Sequence, residues 1–229
     1  MSGVLLFPLS NYSFGTKDPQ ADEDKTTDAR LVRLQSEYET QGMRTTVEGV
    51  LVVHEHGHPH ILMLQIANSF YKLWVLPNLD RACCQQAALT PSTAVRMVLC
   101  PRRRLVFRPG GALRPGEDEI EGLKLRINQK LAPIGGDQTS QGDFEVGELL
   151  GVWWRPNFEQ AMRPKEVKKM YLVHLPETKV LTVPMNMKLL AVPLFELYDN
   201  AGRYGSHLSV LPHLLSRFNF VPQLEAPAQ

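Results

Sequence analysis

The sequence predicts a single α/β domain, a sheet with flanking helices, and three observations predict it. From Thr45 to Glu55 the run Thr-Thr-Val-Glu-Gly-Val-Leu-Val-Val-His-Glu is β-branched and apolar, the composition of a buried strand. From Glu117 to Leu131, Ile120, Leu123, Ile127 and Leu131 recur at spacings of three and four, the apolar stripe of an amphipathic helix. Further strand-like runs follow that helix and no internal repeat is visible, so strands and helices share one core.

The elements follow in chain order. Leu31 and Leu34 stand among charges between Asp28 and Tyr38, which reads as a short helix ahead of the first long strand. Gly57 and Pro59 supply turn chemistry, and His60–Ile66 reads as the hairpin partner of 45–55. Pro109-Gly110-Gly111 reads as a turn into the amphipathic helix. Glu145–Trp154, Lys169–Leu175 and Val180–Pro184 read as strands, and Leu208–Phe218, after the loop Gly202–Ser206, as a C-terminal helix.

Composition excludes several classes. A chain of 229 residues can bury roughly 70% of the surface its unfolded form exposes, so it needs no disulfide or metal to fold. Hydrophobic residues make up 43% and charged residues 21%, no window approaches 18 apolar residues, and no membrane span is expected. The opening Met1–Pro8 lacks the basic flank and cleavage site of a secretory signal. A net charge of +1 excludes a whole-chain polycation. An odd cysteine count argues against a disulfide framework and for a reducing compartment. All three cysteines (Cys83, Cys84, Cys100) fall within 18 residues. Between Trp74 and Arg108 there are also six arginines and one acid, a segment of +5 in a remainder of −4. So sharp a shift marks a linker, an inserted module or a foreign stretch.

Two motifs invite a metal. His54, His56, His58 and His60 alternate, but Gly57 and Pro59 interrupt the strand that would align them, and no second cluster of ligands accompanies them. They read as a hairpin turn. Gly111-x5-Glu117 opens a helix rich in acids (Glu117, Asp118, Glu119, Glu121) and resembles the start of a Nudix box. In that family Gly-x5-Glu-x7-Arg-Glu-U-x-Glu-Glu-x-Gly-U, with U aliphatic, holds a divalent metal that activates water against a diphosphate. Here the six positions Arg-Glu-U-x-Glu-Glu read Leu125-Arg126-Ile127-Asn128-Gln129-Lys130, and the glycine that follows is replaced by Ala132. The aliphatic slot survives while the three carboxylates are lost, two of them to cations, so the helix is expected as scaffold without a metal.

Longer stretches carry a closer resemblance. Asn11–Lys17, Gly42–His56, Trp153–Glu159, Arg163–Glu166, Pro193–Ala201 and Leu214–Phe220 are similar to the small subunit of the pre-mRNA cleavage factor I complex, a Nudix-fold family without hydrolase activity. The resemblance runs from about Phe7 to Phe220, apart from Trp74–Arg108. It implies a Nudix-like α/β/α sandwich with a mixed sheet, working in the nucleus as the subunit that reads UGUA elements upstream of poly(A) sites, with no catalysis and no cofactor. It also implies a homodimer, a larger subunit with an RNA-recognition motif as partner, and poly(A) polymerase as a further contact.

Carried over residue by residue, the resemblance implies Asp22 (a glutamate in the family) and Arg30 as base-edge contacts. Glu48 would orient Arg30 or meet a base. Within Ser69-Phe70-Tyr71-Lys72, Phe70 would stack on a base, and Tyr204-Gly205 would form the C-terminal contact. This chain departs from the family in Asp22, in Arg203 where a small residue stands, in the short loop Glu159–Arg163, and in Trp74–Arg108.

The expected organisation is an N-terminal loop and helix (1–44), a Nudix-like domain (45–220) interrupted by 74–108, and a tail (221–229). The interruption reads as retained intron; the alternative is a basic loop whose Arg102–Arg104 touches RNA phosphate or serves nuclear import. Two other functions compete with RNA reading: a nucleoside-polyphosphate hydrolase drawing on Glu117, Asp118, Glu119 and Glu121, and an RNA-silent dimeric scaffold.

Overall fold

The computed structural model describes residues 3–20, 27–66, 106–107, 110–133, 144–156 and 164–223. Its centre is a mixed sheet built on the apolar run near residue 50. Strand β3 (Arg44–Glu55) pairs antiparallel with β4 (His58–Ile66) through the turn at His56-Gly57. On its other side β3 pairs parallel with β8 (Pro164–His174), which pairs antiparallel with β7 (Glu145–Pro156). Strand β10 (Met187–Pro193) closes the opposite edge against β4. The order is β10-β4-β3-β8-β7, with two short additions: β5 (Val106–Phe107) on β4 and β6 (Gly110–Ala112) on β3.

Each face of the sheet carries its own core, which makes the molecule an α/β/α sandwich. On one face Val47, Leu51 and Val53 of β3 pack with Leu123, Ile127 and Leu131 of helix α2 (Glu119–Leu131). On the other, Val50 and Val52 pack with Leu197, Leu208, Leu211 and Leu215. The period-two alternation of β3 feeds both layers. The amphipathic helix is present, but its buried face is Gly122, Leu123, Ile127 and Leu131, while Ile120 is exposed.

Other expectations change. Pro59 is not in the turn: it sits opposite His54 in the ladder, and the positive φ angles of His56 (51°) and Gly57 (78°) make a tighter, two-residue reversal. Gly110 and Gly111 are not a turn but strand β6, opposite Glu48 and Val47. A Cβ on Gly110 would stand 2.2 Å from the Val47 carbonyl oxygen, so glycine is required by the close approach of the two backbones. The single C-terminal helix is instead a chain of one-turn helices: α3 (Leu194–Leu197), α4 (Ala201–Tyr204), α5 (Ser206–Ser209) and α6 (Leu211–Leu215). Gly205 at φ 85° breaks the path between α4 and α5, and Pro212 forces a new start at α6.

The N-terminal stretch contains more than a loop and helix α1 (Thr27–Gln41). Strand β1 (Gly3–Leu6) runs parallel to β11 (Asn219–Pro222), so residues 221 and 222 also belong to a strand. Strand β2 (Tyr12–Lys17) runs parallel to β9 (Lys179–Pro184). Lys17 Nζ then donates to the carbonyls of Gln129 (2.8 Å) and Ala132 (3.1 Å), satisfying the C-terminal end of α2. Most of 74–108, including Cys83, Cys84, Cys100 and Arg102–Arg104, lies outside the described residues, but Val106 and Phe107 pair with Gln65 and Leu64, so this stretch is not wholly foreign to the sheet. No helix among the described residues is long and apolar enough to cross a membrane.

Candidate functional site: a remnant metal box and a polar sheet end

The loop before α2 and its first two turns hold what the box chemistry would need, and the structure shows how the carboxylates are spent. Glu117 meets Arg126 in a two-toothed ion pair, Nη1 to Oε1 at 2.7 Å and Nη2 to Oε2 at 2.9 Å. The backbone N–H of Arg114 adds a third donor at 2.8 Å. The Arg126 fork first, and the Arg114 N–H second, hold the Glu117 carboxyl down at about 2. Arg126 also donates through Nε and Nη2 to the carbonyl of Ala112, while Lys130 Nζ reaches the carbonyl of Gly110 at 2.5 Å. Gly122 makes room for this knot: a Cβ there would lie 2.4 Å from Leu113 Cδ2 and 3.0 Å from Glu117 Oε1.

Its neighbours are committed too. Asp118 caps the helix, accepting from the N–H groups of Ile120 and Glu121 at 3.0 Å. Glu119 binds Lys169 Nζ at 2.5 Å and the Tyr171 hydroxyl at 2.6 Å, and both bonds keep it ionised below the usual carboxylate range. Glu121 faces solvent, 3.9 Å from Lys124. A divalent cation would have to displace Arg126 from Glu117 and from the Ala112 carbonyl, and Lys130 from the Gly110 carbonyl, a poor exchange for a hard ion that needs anionic oxygen.

Among the described residues there is no group of three or more histidines, cysteines, aspartates or glutamates placed to hold a metal. The alternating histidines are divided by the hairpin. His54 is buried with Nε2 2.7 Å from the Gln223 carbonyl, His60 is buried with Nδ1 2.9 Å from the His58 carbonyl, and His56 and His58 are exposed.

Of the residues expected to read RNA, Asp22, Ser69 and Phe70 lie outside the described residues, and Arg30 is described only in its backbone, within α1. Glu48, Tyr204 and Gly205 are described. Glu48 stands on the same face of β3 as Val50 and Val52, and Tyr204 packs against the core on that face, so the two lie on one side of the sheet. Glu48 Oε1 accepts from Lys168 Nζ at 2.6 Å. The Tyr204 hydroxyl donates to Glu196 Oε1 at 2.6 Å, and Arg203 Nη1 reaches the same oxygen at 2.5 Å. Arg203 thus pairs with an acid on α3, and its guanidinium lies 5.3 Å from the centre of the Tyr204 ring.

Beyond Glu48 the face carries a cluster of polar and charged side chains from β3, β8 and β7, a feature the sequence reading missed. Glu166 is 3% exposed. It accepts from Thr46 Oγ1 at 2.6 Å and pairs with Arg44 and Arg155, each at 3.1 Å. Burial pushes its carboxyl up, but the Thr46 hydroxyl and the surrounding cations outweigh that and hold it below the ordinary range. The signal was present as period-two polarity, Arg44-x-Thr46-x-Glu48 beside Glu166-x-Lys168, at the start of two neighbouring parallel strands.

A Nudix family model described as a nucleotide hydrolase matches residues 2–79 and 94–218. The chain is 45% identical over 226 residues to the pre-mRNA cleavage factor Im 25 kDa subunit 2 of Arabidopsis thaliana, covering 95% of this chain and 94% of the relative. It is 40% identical to subunit 1 of the same plant, over 95% of this chain and 85% of the relative. It is 37% identical to the cleavage and polyadenylation specificity factor subunit 5 of Dictyostelium discoideum, over 93% of this chain and 92% of the relative. The chain therefore belongs to the family of the cleavage factor Im 25 kDa subunits, built on the Nudix fold.

Proposed function

We propose that this protein is a non-catalytic subunit of the nuclear machinery that cleaves and polyadenylates pre-mRNA, and that it reads UGUA-containing RNA. The observation that carries the non-catalytic part is the Glu117–Arg126 fork: the one carboxylate kept from the box pattern is locked to a cation standing where a ligand carboxylate would be. The RNA-reading part is supported by Glu48 and Tyr204, an acceptor and an aromatic on one side of the sheet, in the motifs shared with the family. Asp22, Arg30, Ser69, Phe70 and Gly205 complete the proposed contact set. A near-neutral chain suits a module that reads bases in a small site and does not rely on phosphate attraction alone.

The partners proposed with it are a second copy of the chain, a larger cleavage factor subunit with an RNA-recognition motif, and poly(A) polymerase. The stretch 74–108, apart from Val106 and Phe107, which pair with β4, is proposed as retained intron. Mature transcripts that read through Leu73–Pro109 without a gap would disprove this.

Titrating a UGUA oligomer against a scrambled one tests the RNA reading. A clear preference for UGUA, lost in Phe70→Ala, is expected; equal affinities sink it and leave the RNA-silent scaffold. A Mg²⁺-dependent turnover assay on dinucleoside polyphosphates tests the absence of catalysis. Turnover that disappears in Glu117→Gln would establish a hydrolase.

A further inference from the structure

We propose that Lys168 is a positioning residue for base recognition, fixing which way the Glu48 carboxylate faces; this rests on the RNA reading above. Side chains of β8 lean along β3. Glu166 stands opposite Arg44 in the ladder, pairs with it, and also bonds Thr46, two residues on; Lys168 stands opposite Thr46 but bonds Glu48, again two residues on. The side chains of β8 thus reach diagonally along β3, a contact that adjacent strands allow to long side chains.

Which cation serves which carboxylate is then settled by geometry. Glu166, the more buried acid, takes the Thr46 hydroxyl and both arginines, whose Nη atoms lie 3.1 Å away on either flank. Lys168 is left to Glu48, and at 2.6 Å with both side chains mostly buried (18% and 13% exposed) the pair is a short, charge-assisted bond. An ionised carboxylate only accepts hydrogen bonds. Pinning one oxygen of Glu48 therefore turns a flexible side chain into an oriented acceptor for a base amino or imino group. Without Lys168 that oxygen loses its charged donor, and β8 no longer sets which edge of a base the carboxylate meets.

The experiment measures binding of a UGUA oligomer and its scrambled form to the wild-type chain, Lys168→Met, Lys168→Arg, Glu48→Gln and the Glu48→Gln/Lys168→Met double variant, with a thermal melt of each. Expected for Lys168→Met is a loss of UGUA affinity of roughly tenfold, in line with one charge-assisted hydrogen bond. Scrambled RNA should be unchanged, and Lys168→Arg should keep most of the preference. The double variant leaves neither charge unpaired, so it folds even if the single one does not, and its loss should match that of Glu48→Gln alone. Equal weakening of both RNAs with a shallower salt dependence would make Lys168 a phosphate contact and overturn the proposal. So would an unchanged preference in Lys168→Met or in Glu48→Gln, with UGUA reading itself intact. A wild-type chain with no UGUA preference fails the broader reading, and this inference with it.

Discussion

Replacing Glu166 by glutamine removes one charge from the polar end of the sheet and little else. The amide keeps an oxygen for the Thr46 hydroxyl, 2.6 Å away in the wild type, and nearly the same volume. What is lost is the anion shared by Arg44 and Arg155, each at 3.1 Å. Breaking a buried ion pair costs about 3–5 kcal/mol. Here the arginine side chains are 29% and 37% exposed, so water recovers part of that, and about 2 kcal/mol is the expected cost. For a domain of this size that lowers Tm by about 4–8 °C. The check is thermal unfolding followed by circular dichroism, repeated from pH 7 down to the acid limit of reversible folding. Because the folded-state carboxyl titrates below its unfolded value, its stabilisation is complete above the ordinary carboxylate range and is lost as pH falls through the folded value. The gap between wild type and variant should therefore narrow on acidification. An unchanged Tm at pH 7, or a gap that widens in acid, would refute the reasoning.

Two other outcomes are expected. In a carboxyl-detected NMR titration Glu117 should stay ionised down to about 2 in the wild type and move up toward ordinary carboxylates in Arg126→Ala; an unmoved value would show that the fork is not what holds it. Gly49→Ala would put a methyl 2.9 Å from Ile127 Cδ1 and 3.0 Å from Val173 Cγ2, which should cost about 1–3 kcal/mol in urea unfolding. Ile127→Val should recover part of it, and an alanine variant as stable as the parent would contradict the tight fit of α2 on the sheet.

The central hairpin and α2 were legible because their apolar residues keep one period over many positions, as in Val47–Val53 and Leu123–Leu131. Strands β1, β2 and β11 were not, since each is short and paired with a segment more than 160 residues away, a relation no local pattern records. Gly110-Gly111 misled for the opposite reason: glycine pairs signal turns, yet here the missing side chains let β6 lie against Val47 and Glu48. The loss of the box carboxylates could be read directly, but that Arg126 would turn back onto Glu117, nine positions earlier, depends on the tertiary placement of α2 against the loop. In the same way Glu48 was identified as a candidate, while Lys168, on a strand 120 residues later, needed the parallel register of β3 and β8.

The pairing of β1 with β11 has a consequence for the making of the chain. Gly3 sits beside Asn219, so β1 waits for a strand made more than 200 residues later. At ribosomal speeds of about 5–20 residues per second, that wait is about 10–40 s. Throughout it Val4 and Leu6, buried in the finished molecule, have no ladder to join. Strand β1 is thus translated long before it can be folded, and a nascent chain carries an unsatisfied apolar strand that invites a chaperone, or a wrong neighbour, until residue 222 emerges.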